Sequence, residues 1–557
     1  MKTKFSLCLI FLITFNLFAG VNLKNGNFYI SYTDLLTKHV QFVFGDFSRT
    51  YNSKSIKTGL FGYGWGTKWE TELYFFPDGY ISVHEYGAGG KSAFNSDLVS
   101  TESIQMMVDI IIDTKLEHGL LDNNPSAILK LQNKLTDMMD VRHAEWLNLK
   151  KENKLDFEQE LIDGLVFDGF SRGNQKITIT NNGFERISIS DQTKEFFDIN
   201  GRLIKYTDNN GLYTEIKYVD DKITQMICSD GNVIYFKTND NGYIIEARLE
   251  DNVSTYKYDG DNLVYNKDGG GNQYAYEYDN IHNLTRIIYN PVRFKGEAID
   301  AMTITYEDRT YYCSSITDRD GKTVNYEYKK YFNEDGTEDP DHYSTTVIKD
   351  DYYGNKAKSE YEYFIKVGAS GNRYTHQIIT TIQGITTNTT YDEQCGNPIK
   401  IIKGRRETDF KYNNRCRLIR KTSNYGDDIE MKYHPTLEKL TYVRNDQGEF
   451  NFEYNTKGNL LKASKSNGDT VEMEYLDNGK ISKMVSNDET LLFKYNAMGK
   501  PIAIEIEGEG KIDVTYDKYG EIERVDSEDG HSMALKVTQA FQNLLAIVKP
   551  SGVNLGM

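Results

Sequence analysis

Residues 450–475 read FNFEYNTKGNLLKASKSNGDTVEMEY. Counting back from Tyr454 and from Tyr475, apolar side chains fall at every second position: Phe450, Phe452 and Tyr454, then Val471, Met473 and Tyr475. A period of two puts these on one face of a strand and leaves Asn, Glu and Lys on the other. Gly458, four residues after Tyr454, suits the positive φ that ends a short turn and closes a hairpin with a bulge. Leu460 opens a second strand, and Asn467-Gly468 marks a second turn. The stretch is therefore two short strands and two turns, dry on one face and wet on the other.

Outward from this unit the same grammar repeats. Tyr391, Tyr412, Tyr433, Tyr454, Tyr475, Tyr495 and Tyr516 are spaced by 21, 21, 21, 21, 20 and 21 residues. Leu491, Phe493 and Tyr495 alternate, as do Ile512, Val514 and Tyr516, and the turn glycine returns at Gly479, Gly499 and Gly520. The apolar residue six places after the tyrosine returns at Leu284, Leu418, Ile481 and Ile522, and the second turn at Asp230-Gly231, Asp320-Gly321 and Asp529-Gly530. Looser members stand at Phe197, Tyr218, Phe236, Tyr258 and Tyr278; between about 290 and 390 the register blurs, with Tyr328 and Tyr363 keeping its flavour. One hairpin cannot bury its apolar face in water, so the units must pair edge to edge, and a sheet of that many strands twists and curls. The spacing predicts an all-β fold, a curled or spiral antiparallel sheet of stacked hairpins whose inner face lines either a packed core or a hollow.

The pairs Tyr258-Asp259, Tyr278-Asp279, Tyr391-Asp392 and Tyr516-Asp517, the last reading YDKYGEI, resemble the repeats of the Rhs/YD-repeat family over roughly residues 192–535. NGNFYISYTDL (25–35), RTYNSKSIKTGLFGYGWGTKWETEL (49–73) and PDGYISVHEYGAGGKSAF (77–94) resemble that family's N-terminal region. The resemblance implies a β-spiral shell, in some members a cocoon around a toxic C-terminal domain released by an aspartyl-protease segment. Here the repeats run to about 535 and VTQAFQNLLAIVKPSGVNLGM follows, with Val537, Phe541, Leu544, Leu545 and Val548 on one helical stripe. No acidic Asp-Pro cleavage motif is present in it, so an intact self-processing toxin is not expected.

Composition narrows the function classes. A net charge of -17 with no Lys/Arg-rich block argues against nucleic acid as a partner. With 41 Tyr against 3 Trp, apolar burial leans on rings that carry a polar edge, which suits half-buried sheets. Lys2 and Lys4, an apolar run from Phe5 to Phe18, then Ala19 and Gly20 read as a secretory signal over 1–20. No later run approaches the length of a membrane helix, so the mature chain is expected to be secreted, periplasmic or at the cell surface, with no transmembrane segment after cleavage.

Residues 97–164 break the β pattern. Ile104, Met107, Val108, Ile111 and Leu116 follow helical spacing before Gly119; Asn124-Pro125 caps a second stripe of Ile128, Leu131, Leu135, Met138 and Trp146; a third segment runs from about Lys151 to Gly164. The expected divisions are the signal peptide (1–20), an N-terminal β region (21–96), a helical insertion (97–164) that packs on the shell as a cap or plug or else serves as a partner-binding lever, the repeat shell (165–535) and an apolar tail (536–557).

Candidate chemistry reduces to turns. Gly169-Phe170-Ser171-Arg172-Gly173 matches a nucleophile elbow in letters, but the alternating NQKITITNNGFERISIS follows where a helix is required. Glu85 stands where a phosphate loop needs its first glycine before Gly90-Lys91-Ser92, and the nine histidines form no close ligand pair. Asp318-Arg319-Asp320-Gly321 and Asn333-Glu334-Asp335-Gly336 carry carboxylates but lack a full calcium loop. No catalytic, cofactor or metal residue is assigned, and the chain is read as non-enzymatic. Off-register rings at Tyr311-Tyr312 and Tyr352-Tyr353 are the better ligand candidates. Cys395 and Cys416, each four residues after a repeat tyrosine in adjacent units, are candidates for a disulfide. Two functions follow: a structural or adhesive surface scaffold binding glycan or protein partners at the cell envelope, or a carrier shell for a separately encoded toxin or effector.

Overall fold

The structure, a computed structural model, describes residues 19–35, 47–85, 89–157, 160–170, 173–291, 300–350, 356–368, 373–487, 489–496, 499–508, 510–516 and 522–527. The expected signal peptide up to residue 18, Ser171, Tyr352-Tyr353, Gly520, Asp529-Gly530 and the apolar tail lie outside the described residues.

Thirty-six strands form one antiparallel sheet that begins at Glu72–Phe75, Tyr80–Glu85 and Gly90–Asn95, resumes at Val166–Gly169 through Asp168↔Asn95, and then pairs each strand with the next as far as Ile522–Ser527. The strand order closes on itself, and an antiparallel bridge, Glu72↔Arg202, returns the first strand to the wall. The alternation works as expected: Gly448–Tyr454 buries Phe450 and Phe452 and exposes Glu449, Asn451 and Glu453.

The late part of the wall comes back alongside the early part. Asn174 Nδ2 donates to Glu438 Oε1 at 2.5 Å, and Asn209 Nδ2 donates to the Lys457 carbonyl at 2.9 Å and to Asn459 Oδ1 at 3.0 Å. Asn459 in turn donates to Asn210 Oδ1 at 3.1 Å, so one lap of the curl takes roughly 250 residues.

The expected N-terminal β region is divided in two. Residues 72–95 are the first three strands of the wall, whereas Ala19–Asn22, Asn27–Leu35, Phe47–Asn52 and Trp65–Gly66 form a separate four-stranded sheet. That small sheet and the residues linking its strands pack onto the wall between Ile244 and Cys313 by backbone hydrogen bonds: Ile244 to Leu60, Tyr63 to Asp261, Gly269 to Asp34 and Cys313 to Gly26, at 2.8 to 2.9 Å. Its Phe28, Ile30, Phe47, Tyr51 and Trp65 share one core with wall residues from Phe167 to Ile316. A second core, from Ile429 to Ile512, belongs to the wall alone.

Three helices follow the third wall strand: α1 (Thr101–Glu117), α2 (Pro125–Asp137) and α3 (Met139–Lys151). The structure corrects the helical expectation. The stripe from Ile128 to Trp146 is two helices broken at Met138, which takes extended dihedrals of φ -122° and ψ 95°, and no helix spans Lys151 to Gly164 among the described residues. Arg142 and His143 explain the break, since both must turn inward to reach Asp78. Among the described residues, no helix is long and apolar enough to cross a membrane.

Candidate functional site

Each repeat junction is built the same way. Between Glu453 and Tyr454 the register shifts, so that Tyr454 faces Leu460, and the same bulge recurs at Tyr412, Tyr433, Tyr475, Tyr495 and Tyr516. Toward the next unit the ladder is short: Leu460–Lys465 and Thr470–Tyr475 pair only through Lys462↔Glu472, Ala463↔Val471 and Ser464↔Thr470. Beyond Lys462 the two strands splay, and the Leu460 carbonyl has no ladder partner on that side. The Tyr475 hydroxyl supplies one, donating to Leu460 O at 2.7 Å.

Eleven described tyrosines make this bond, at 2.7 to 3.3 Å: Tyr218, Tyr258, Tyr278, Tyr306, Tyr328, Tyr412, Tyr433, Tyr454, Tyr475, Tyr495 and Tyr516. Tyr391 is different, its hydroxyl bonding Thr389, because the residues 14 to 15 places before it lie within the long strand Arg373–Ile382. Burial pushes the repeat hydroxyls up, those of Tyr412, Tyr433 and Tyr475 to about 12, which keeps them protonated as donors. The residue after the tyrosine closes the turn: Asp279 Oδ1 accepts from the amides of Ile281 and Asn283, and Asn455 Oδ1 from those of Lys457 and Asn459, at 2.9 to 3.0 Å. Gly458, Gly479 and Gly499 take φ of +82°, +77° and +70°.

Two of these roles escape a reading of letters. Tyr306 is a full member that the blurred spacing hides, and Phe236 is not one: the bulge lies between Lys237 and Thr238, so Thr238 holds the tyrosine place and Phe236 is the buried residue two before it. Asn239, whose side chain accepts from Tyr243 N at 2.9 Å, was the available signal. Between 323 and 382 the strands lengthen to 10 to 13 residues, which is why the spacing blurs.

The small sheet contributes one charged centre to the core. Arg49 is fully buried, its Nε 2.9 Å from Asp34 Oδ2 and its Nη2 2.9 Å from Asn266 Oδ1 and 2.8 Å from the Tyr276 hydroxyl. Its guanidinium lies 4.4 Å from the Trp65 ring and 5.0 Å from that of Tyr32. Burial pushes the Asp34 carboxyl up to about 6 against the opposing pull of Arg49 and of the Tyr256 hydroxyl. On Arg49, burial opposes the charge, but Asp34, Tyr276 and Tyr256 outweigh it and hold the guanidinium protonated. Residues from two chain regions more than 200 positions apart thus meet in a paired, ring-lined centre that holds the small sheet in one place.

A second buried centre seats the helices. Arg142 Nε and His143 Nε2 each lie 2.9 Å from Asp78 Oδ2, and the His143 ring stacks on Phe76 at 3.8 Å. Burial pushes the Asp78 carboxyl up, yet the hydrogen bond and charge of His143, with the charge of Arg142, hold it below its usual range.

Several other expected sites fall into place as turns. Asp318 Oδ1 accepts from the amides of Asp320 and Lys322 at 2.9 Å, and Asp335 from Thr337 N at 2.9 Å. Tyr312 is covered, with Lys54 Nζ 4.5 Å over its ring and Tyr328 edge-on at 4.9 Å, whereas Tyr311 is exposed. Cys395 and Cys416 are joined in a disulfide, their Cα atoms 5.6 Å apart. Cys416 takes the glycine place at φ +60°, but in the preceding unit Gly396, not Cys395, takes it at φ +63°, because that turn is one residue longer. No group of three or more metal-ligating side chains occurs among the described residues.

A family model described as a domain of unknown function, DUF6531, matches residues 19–92, the small sheet and the first wall strands. No curated protein matches the chain. Among solved structures, the chain is similar to TcdB2-TccC3-TEV, at 12% identity and a TM-score of 0.36 over 66% of this chain and 22% of that one. It is similar to TcdB2-TccC3 at 12% identity and a TM-score of 0.37 over 65% and 22%. A porin-like protein from Bacteroides uniformis aligns at 13% identity and a TM-score of 0.15 over 45% of this chain and 88% of that one. The chain spans about a fifth of the length of the TcdB2-TccC3 chains it matches. With TM-scores this low, the fold rests on the strand pairing described above.

Proposed function

We propose that the protein is an exported, non-enzymatic shell scaffold of the Rhs/YD-repeat kind, acting at the cell envelope through protein or glycan partners. The observation that supports this reading is where the polar chemistry goes. Eleven repeat hydroxyls donate to backbone carbonyls of the protein itself, and Arg49 Nε and Nη2 are engaged by Asp34, Asn266 and the Tyr276 hydroxyl. Glycan contact then falls to exposed rings off the repeat position, of which Tyr235 and Tyr425 are 52% and 66% exposed. The exported chain, applied to a glycan array and used as bait against envelope proteins, is expected to retain a partner that Tyr235→Ala or Tyr425→Ala weakens. No retention in either arm, or retention unchanged by both substitutions, defeats the surface-binding reading.

A carrier for a separately encoded polypeptide is the second reading, favoured by a wall that returns beside itself after one lap. Co-expression with candidate effectors decides between them: an effector protected from protease only while the shell is intact supports the carrier.

A further inference from the structure

Where one lap of the wall meets the next, side chains make the contacts. Asn174 reaches Glu438, Asn209 reaches Asn459 and the Lys457 carbonyl, and Asn459 reaches Asn210. Scattered side-chain contacts of this kind hold far less than a ladder of backbone bonds. Glu438 is the exception, since it is only 4% exposed and gathers three donors: Asn174, Arg415 Nη1 at 2.8 Å and Arg417 Nε at 3.4 Å. Those two arginines flank Cys416, in the turn where Asn413 Oδ1 accepts from both of their amides. The disulfide ties that turn to Cys395 of the preceding unit, and Asn397 Nδ2 donates to the Cys416 carbonyl at 3.4 Å.

We infer that the seam between laps is the line along which the shell opens, and that the Cys395–Cys416 disulfide is its redox latch. Reduced, the turn at 413–417 keeps its own hydrogen bonds but loses its tie to the preceding unit, and the arginines are held less firmly in their aim at Glu438. Oxidised, the arginines are held where Glu438 and Asn174 close the seam. Latching takes the two thiols to one disulfide, giving two protons and two electrons to the disulfide of a thiol oxidant, which leaves as a dithiol. The chain would therefore stay openable in a reducing compartment and lock on reaching an oxidising one. This inference holds whatever the shell binds or carries, so its failure is separate from failure of a partner assay.

Hydrogen exchange on the full chain tests it, comparing the oxidised protein, the same protein reduced with dithiothreitol, Cys395→Ser/Cys416→Ser and Glu438→Gln with the disulfide intact. Reduction is expected to speed exchange about tenfold in residues 174–192, which Asn174 joins to Glu438 across the seam, and to leave residues 244–291 under the small sheet unchanged. Glu438→Gln should reproduce the effect at 174–192. Faster exchange confined to 391–418, or none, overturns the latch; should the double serine variant fail to fold, the reduced native protein decides the matter in its place.

Discussion

At the residue scale, the tyrosine is chosen over phenylalanine by one carbonyl. A ring of either kind fills the dry face, but only a hydroxyl reaches the carbonyl left open where successive units splay, as Tyr475 reaches Leu460. Tyr475→Phe is expected to cost about 1 kcal/mol, read as roughly fivefold faster exchange of amides in residues 460–475. His84 sets a pH dependence. Burial, with the nearby charge of Lys91, lowers its pKa from 6.5 to about 4. Between those values the unfolded chain takes up a proton that the folded chain refuses, so this contribution is complete above pH 6.5 and is lost as pH falls toward 4. Melting between pH 7.5 and 4.5 should show the native protein losing on the order of 2 kcal/mol more stability than His84→Gln, a comparison in which the opposite contribution of Asp34, raised to about 6, cancels.

At the scale of elements, the bulge and its turn decide how the wall curls. From residue 398 on, each unit pairs over four or five residue pairs with its own second strand but only over three or four with the next unit, so the sheet fans toward one edge, and the fan is stitched by tyrosines. The return of the first strand relies on one turn: Leu73 N donates to the Gly201 carbonyl at 2.7 Å, and Gly201 sits at φ +80° with the Leu73 carbonyl where a Cβ would be. Gly201→Ala adds left-handed strain to that clash, and more than about 2 kcal/mol of destabilisation is expected, with faster exchange at residues 71–75. Unchanged exchange there would mean that the bridge does not hold the first strand.

At the scale of the molecule, the two cores are joined by a thin stretch. Among the described residues, the buried apolar ones run to Ile316 and resume at Ile429, with Tyr363 the one between them. Limited proteolysis under native conditions is therefore expected to cut first between about 364 and 428 and, once the Cys395–Cys416 disulfide is reduced, to release an N-terminal piece that keeps its slow-exchanging amides at 244–291. First cleavage within 430–512 would contradict this division.

The sequence by itself determined the local rule: period-two alternation, the tyrosine, the Asx turn and the glycine are contacts within a few tens of residues, so the unit, its strand face and the antiparallel curled sheet were legible from residues 450–475. It did not reveal why the hydroxyl matters, because a carbonyl becomes available only once neighbouring strands splay. Nor did it reveal that residues 19–66 leave the wall to pack on it, that Met138 ends a helix, or that Asn174 meets Glu438 one lap later. Those facts depend on groups 64 to 264 positions apart meeting in space, and spacing along a chain carries no measure of that distance; only the folded structure sets it.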